Sequence, residues 1–211
     1  RQEVRVVKAR LSSRGLFGAS ETFGQTVFEV GLSFDPLLNL PFIPGSSLKG
    51  AVRSAYQELF LKKRVKDEKL CESECRRIFG ESGKSVGLVG FTDAYPVEPG
   101  EKGLILYPDV MTPHYRENVK TELDVQPNPL VYLTVAPGTV FQFYVFWKNR
   151  GERRVKLGSG FEADLSLSPK PDLQTLALLD LALLYSLKTG VGAKTCLGYS
   201  SLEVVEYREV R

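Results

Sequence analysis

Lys49 and Arg53 stand four residues apart, directly after Pro44-Gly45-Ser46-Ser47. If a helix opens at the serines, both cations lie on one of its faces. A helix start presents unpaired N–H groups and the positive end of the dipole. Ser46 and Ser47 add hydroxyls. Together these residues offer a site for a phosphate-sized anion. The plainer account is a capped helix carrying two solvated bases, and spacing alone does not choose between them.

A second constellation is Gly190-Val191-Gly192-Ala193-Lys194-Thr195-Cys196-Leu197-Gly198-Tyr199. Glycines let backbone N–H groups approach a phosphate closely, and Lys194 and Thr195 add a cation and a hydroxyl. It is not a P-loop, because the Gly-Lys-Thr order is wrong and the segment follows a helix instead of opening one. A tight helix-to-strand connection capped by Gly190 is the competing account. The third is Tyr107-Pro108-Asp109-Val110-Met111-Thr112-Pro113-His114-Tyr115, which holds the only histidine of the chain. Asp109 and His114 as an acid–base pair would be the enzymatic reading. No nucleophile accompanies them and one histidine makes no metal cluster. Stacking or hydrogen bonding of His114 and Tyr115 against nucleobases suits these residue types better.

Other patterns carry less. Cys71 and Cys75 are four apart on an expected helix, but the further ligands a zinc site needs are not visible, so half-buried thiols are expected. No cofactor or metal is expected. The run Lys62, Lys63, Arg64, Lys66 is followed by Asp67, Glu68, Glu72 and Glu74 and reads as a solvated helix face. Phe141, Phe143, Phe146 and Trp147 read as hairpin core ahead of a base-stacking platform, which the break in alternation at Phe146-Trp147 keeps open. The net charge of +3 is a weak pointer to a polyanion. An odd count of three cysteines and the lack of a secretory leader fit a reducing, cytoplasmic setting. The longest apolar stretch, Leu173 to Leu187, is broken by Gln174, Thr175, Asp180 and Ser186, short of the ~18–20 residues of a membrane span. The chain opens at Arg1 without Met, so a few preceding residues are expected to be missing.

The elements that must position these residues follow from periodicity. Val4 to Lys8 is a β-branched strand, and Leu11 to Gly24 a glycine-containing loop. A strand over Thr26 to Phe34 leads to the rigid Pro41-Phe42-Ile43-Pro44 segment. Leu48, Val52, Ala55, Tyr56 and Leu59 recur at helical spacing, predicting a helix from about Ser47 to Lys63, capped by Ser46 or Ser47. Val65 to Gly80 reads as a charged helix, Val86 to Ala94 as a strand, and 96–129 as a long loop or insertion. Leu130 to Val135 and Val140 to Trp147, joined by Ala136-Pro137-Gly138-Thr139, read as a hairpin. Leu173 to Leu187 is apolar nearly all round, hence a buried helix, and Leu202 to Tyr207 is a last strand. The order strand, helix, strand, strand, helix, strand predicts an α+β, ferredoxin-like or RRM-like βαββαβ core with insertions, the whole 1–211 chain forming one domain.

Taken together, Arg14-Gly15-Leu16-Phe17-Gly18, Pro41 to Gly50, Gly90-Phe91-Thr92-Asp93-Ala94, Asp109 to Tyr115, Leu133-Thr134-Val135 and Gly190 to Thr195 with Gly198-Tyr199 resemble the RAMP superfamily. Within it, the Asp109–Tyr115 segment and the Gly-Ala-Lys-Thr loop are similar to the sixth subunit of the type III-B (Cmr) CRISPR effector complex. The resemblance runs from about Arg14 to Leu202. One departure is Ser200 after Gly198-Tyr199, where a second glycine is common in the family. The aromatic signature of RRM strands is not recognisable either, which favours contact with the RNA backbone.

The resemblance implies an RRM-like core with a thumb-like β-hairpin among its insertions. It also implies a place at the end of the backbone filament, near the 3′ portion of the CRISPR RNA. The partners would be CRISPR RNA, target RNA, other RAMP backbone subunits and a small helical subunit. Target cleavage in such complexes belongs to the repeated backbone subunit, so no catalytic residue is expected here. The RNA-binding set would be Arg14, Gly45, Ser46, Ser47, Lys49, Gly50, Arg53, His114, Tyr115, Gly190, Gly192, Lys194 and Thr195. Two alternatives stand beside it: a metal-independent endoribonuclease using His114 and Tyr115, and a structural adaptor whose bases face proteins.

Overall fold

The computed structural model describes residues 2–18, 31–61, 68–111, 129–148 and 178–210. The expected basic run at 62–67, and His114 and Tyr115, lie outside the described residues.

Strand β1 (Gln2–Leu11) lies in the middle of the main sheet. After the loop at 12–18, two short strands, β2 (Phe34–Asp35) and β3 (Leu40–Pro41), pair with each other. Helix α1 (Gly45–Ala55) follows and continues as a π-helical turn over Tyr56–Leu61. Leu48, Val52, Ala55 and Tyr56 are buried, as the helical spacing requires. Helix α2 (Glu68–Phe79) ends at a small hairpin of β4 (Gly80–Glu81) and β5 (Ser85–Val86). The strand expected over Val86 to Ala94 is therefore broken. Val86 belongs to that hairpin, β6 covers only Val89–Phe91, and Ala94 makes an isolated bridge to Ile43.

Strand β7 (Tyr95–Glu98) pairs with part of β10 (Val140–Lys148), and β6 pairs with another part. The segment expected as loop at 96–129 thus begins with a strand and contains another, β8 (Leu106–Met111). β8 pairs with β9 (Leu130–Val135) as a separate antiparallel ribbon. This corrects the expected hairpin of β9 with β10. The turn is present, with Gly138 at φ +83° and Thr139 donating to the Ala136 carbonyl, but it does not fold β10 back on β9. Instead the turn is tied to the end of β1, through Leu11 N–H to Thr139 O (2.9 Å) and Gly138 N–H to Leu11 O (2.7 Å). The chain thereby leaves the ribbon and enters the main sheet.

Helix α3 (Leu178–Thr189) and strand β11 (Leu202–Val210) complete the order. The main sheet reads β11-β1-β10-β6, with β7 also on β10, and all pairings are antiparallel. Val7, Ala9, Leu11, Phe141, Phe143 and Val145 alternate into the core, where they meet α1 and the buried leucines of α3. Tyr144 and Phe146 point to the other face and stay partly exposed. No helix among the described residues is long and apolar enough to cross a membrane.

Candidate functional site

The ribbon β8–β9 sets up the site by its register. Asp109 lies opposite Tyr132 and Tyr107 opposite Thr134, so all four side chains share one face. That face is turned inward: Asp109, Tyr132 and Thr134 are buried, while Val110 and Val131 on the other face are exposed. Buried hydroxyls and carboxylates need partners, and two loops supply them.

The first is the loop after β1. Gly15 makes an antiparallel bridge with Val135, which brings Arg14 beside the ribbon. The Arg14 guanidinium forms an ion pair with Asp109 and lies 5.3 Å from the centre of the Tyr107 ring. The second is the glycine loop after α3. The Ala193 N–H donates to the Leu16 carbonyl at 2.9 Å, and Ser200 N–H to the Arg14 carbonyl at 2.9 Å. Both Lys194 (φ +57°) and Ser200 (φ +62°) adopt left-handed backbone, which L side chains take only where the surroundings enforce it. Ser200 is fully buried, and its hydroxyl accepts the Leu16 N–H at 3.0 Å. That bond helps to hold its left-handed backbone.

Lys194 then reaches across. Its ammonium donates to the Tyr132 hydroxyl (2.9 Å) and lies 4.3 Å above the Tyr132 ring and 5.5 Å from the Tyr199 ring. Tyr199 donates to Asp109 Oδ2 at 2.6 Å, Tyr132 donates to the same oxygen at 3.2 Å, and the two hydroxyls are 3.2 Å apart. Arg14, Asp109, Tyr132, Lys194 and Tyr199 thus form one connected cluster, with two cations against one carboxylate.

The electrostatics follow from this geometry. Burial pushes the Asp109 carboxyl up, but hydrogen bonds from Tyr199, Arg14 and the Val110 N–H outweigh it and hold the group below the ordinary carboxylate range. Arg14 is raised, first by its hydrogen bond to Asp109. Tyr199 is raised strongly by its bond to Asp109, then by Tyr132 and burial. Tyr132 is raised chiefly by burial. The linkage signs are opposite. A depressed carboxyl stabilises the fold above its unfolded pKa and loses that contribution as pH falls through the folded value. A raised tyrosine stabilises below its unfolded pKa of about 10 and loses the contribution as pH rises. The thermal midpoint should therefore be flat between about pH 5 and 9 and fall on both sides. Asp109→Asn should flatten the acid limb, and Tyr199→Phe the alkaline limb, in melting curves taken across pH.

A carboxylate stands at the helix opening expected to bind an anion. Asp93 Oδ1 accepts the Gly45 N–H at 2.7 Å. Pro44 is the N-cap and neither Ser46 nor Ser47 caps the helix, which corrects that expectation. Gly45 is buried against the Phe91 and Thr92 backbone, so its role is packing. Ser46, Gly50 and Arg53 are exposed, and Ser47 and Lys49 half-buried. These residues face solvent as a polar helix surface, apart from the Asp109 cluster. The two regions are linked by backbone hydrogen bonds in which Ser33 N–H donates to the Phe17 carbonyl and Phe42 N–H to the Ser33 carbonyl, next to the Ile43–Ala94 bridge.

Of the other expected residues, Thr195 opens a single helical turn over Thr195–Leu197, and Gly190 and Gly192 shape the loop (φ +109° and +115°). From the sequence, Asp109 suggests only an acid–base partner for His114 or part of a family motif, and neither Tyr132 nor Tyr199 is assigned a role. The alternation of Leu130–Val135 was the available signal: it puts Tyr132 and Thr134 on one face, with hydroxyls that must find partners. Cys75 is buried as a free thiol. Among the described residues no group of His, Cys, Asp and Glu is placed to hold a metal ion.

Comparison with known proteins places this architecture. The RAMP superfamily model matches residues 14–203. The chain belongs to the RAMP superfamily. It is 35% identical over 199 residues to the CRISPR system CMR subunit Cmr6 of Saccharolobus solfataricus, covering 94% of this chain and 57% of that protein. It is 28% identical to Cmr6 of Pyrococcus furiosus, covering 95% of this chain and 67% of that protein. Its fold also matches a chain in a cryo-EM structure of the type III-B Cmr-β complex bound to cognate target RNA, with a TM-score of 0.71 and 33% identity. That match covers 100% of this chain and 61% of the other. The chain therefore spans between a half and about two thirds of the length of these relatives, 57% and 67%. The RAMP match begins at Arg14 and takes in both loops and the ribbon, so the whole cluster lies within the family region.

Proposed function

We propose that this chain is part of a type III-B CRISPR effector subunit of the Cmr6 kind, a non-catalytic cytoplasmic component that holds CRISPR RNA by its sugar–phosphate backbone. The observation that carries the reading is the convergence of Arg14 and Lys194 on one Asp–Tyr cluster, with Arg14 40% exposed. Two half-exposed cations on glycine-shaped loops suit a phosphate backbone, where Arg and Lys supply affinity without reading sequence. The strand order β11-β1-β10-β6, with α1 and α3 on one face, supports a ferredoxin-like core. The β8–β9 ribbon, set apart from that sheet, is our candidate for the thumb-like hairpin. The reading includes a position near the guide's 3′ portion, among backbone RAMP subunits, a small helical subunit and the target RNA, and the similarity to Cmr6 supports it.

The test is RNA crosslinking in the reconstituted complex. Arg14→Ala/Lys194→Ala should reduce crosslinks to the guide's 3′ portion, evenly across guide sequences. Each lost phosphate contact should lower the salt slope of binding by about one. Lys49→Ala/Arg53→Ala should have the smaller effect, since the Asp93 carboxylate stands at their helix opening. Unchanged crosslinking by both variants in an assembled complex would refute the reading. Failed assembly with intact RNA contact would move these residues to a protein-facing adaptor role.

A further inference from the structure

An acidic residue at the centre of a site for RNA calls for an explanation, because a carboxylate repels phosphate. Asp109 is 8% exposed and its acceptor positions are filled. Oδ1 takes the Arg14 guanidinium and the Val110 N–H (2.9 Å), and Oδ2 takes Tyr199 (2.6 Å) and Tyr132 (3.2 Å). A carboxylate has about four lone-pair sites, so nothing remains with which to accept from a ribose hydroxyl. Asp109 is therefore not itself an RNA contact. What it touches is the set of groups that hold both cations. Arg14 is bound directly. Lys194 is bound through Tyr132, whose hydroxyl accepts from the ammonium while it donates to Asp109.

Resting on the RNA-binding reading above, we propose that Asp109 is the positioning residue of this site. It fixes Arg14, and through Tyr132 and Tyr199 fixes Lys194, as a preset pair for consecutive phosphates of single-stranded RNA. Long, flexible cationic side chains lose rotamer freedom when they bind. Here that ordering is completed on folding. The arrangement sacrifices net positive charge for fixed geometry, since Asp109 cancels one of the two cations.

Charge and position predict opposite signs for Asp109→Asn, and this makes the proposal testable by crosslinking in the reconstituted complex. The substitution removes a negative charge beside two cations, so charge alone would leave RNA crosslinking unchanged or raise it. Positioning predicts a fall of about tenfold, the scale of one hydrogen bond to a charged group. Tyr199→Phe, which changes no charge, should reduce crosslinking in the same direction by about threefold. A role exerted only through the cations has a further signature. Once Arg14→Ala/Lys194→Ala is in place, adding Asp109→Asn should cause no further loss, whereas a general loosening of the fold would add to it. If Asp109→Asn binds as well as the wild type while Arg14→Ala/Lys194→Ala does not, the positioning role is overturned and the RNA site stands. If none of these variants changes crosslinking, the RNA site itself fails. Should Asp109→Asn not assemble, Tyr199→Phe decides: unchanged crosslinking overturns the proposal, and a fall supports it.

Discussion

Gly192→Ala should lower the stability of the chain by about 2–4 kcal/mol, a backbone in a region closed to L residues together with a steric overlap. Gly192 stands at φ +115°, and a Cβ there would come within 2.6 Å of the Leu16 carbonyl oxygen and 3.0 Å of the Phe17 ring. The Leu16 oxygen cannot retreat freely, because it accepts the Ala193 N–H at 2.9 Å. The substitution therefore pushes the glycine loop off the Arg14 loop, separating the two segments that bring the cations together. Gly50→Ala is the matched control. Gly50 is exposed in the middle of α1, and a Cβ there meets nothing within 4 Å. Alanine at such a position should stabilise the helix by about 0.5–1 kcal/mol. Urea unfolding of both variants checks the pair. A Gly192→Ala protein as stable as wild type would mean that the two loops do not depend on this approach.

The sequence offers both glycines as ligand-facing, and the structure separates them for a reason that composition does not contain: what lies across from a residue. Local periodicity did its work where contacts are local. The Leu48-Val52-Ala55-Tyr56 face, the buried leucines of α3 and the alternation of Phe141, Phe143 and Val145 follow from spacing alone. Pairing between distant segments did not follow. Ala136-Pro137-Gly138-Thr139 has the chemistry of a hairpin turn, yet the end of β1 captures it and sends β9 to β8 instead. β8 was hidden because Pro108 and the polar residues after Met111 argue against a strand, although Pro108 is tolerated in a two-stranded ribbon. Asp93 reaches the α1 opening from 48 residues away, beyond any capping rule read along the chain. Arg14 and Lys194 were legible as loop cations. The carboxylate and hydroxyls that gather them were not, because these lie on a strand pair whose register only the fold reveals.

The largest stability loss is expected from Arg5. Asp180 is 1% exposed, on a helix otherwise lined with leucine, and Arg5 Nη1 meets its Oδ1 at 3.0 Å. The Tyr207 hydroxyl also donates to Asp180 and accepts from Arg5 at 3.1 Å, and burial with the neighbouring carboxylate drives Tyr207 well above its ordinary pKa. Arg5→Met leaves a buried carboxylate without its cation and should cost about 3–5 kcal/mol. Asp180→Leu leaves the guanidinium, 17% exposed and able to draw on water at its edge, and should cost less. Arg5→Met/Asp180→Leu removes both charges from an apolar layer and should recover most of that loss, leaving about 1–2 kcal/mol for the Tyr207 hydroxyl that loses both partners. Denaturant unfolding of the four proteins gives the coupling directly, and additive losses would mean that the pair is held by packing and not by charge. The consequence for the site is mechanical. Asp180 stands in the first turn of α3 and Gly190 follows its last residue, Thr189, so the pair acts on the loop carrying Lys194 through the length of the helix. Arg5→Met should accordingly weaken RNA crosslinking as it weakens the fold, while the double variant restores most of both. That recovery separates a residue that holds the loop in place from one that touches the ligand.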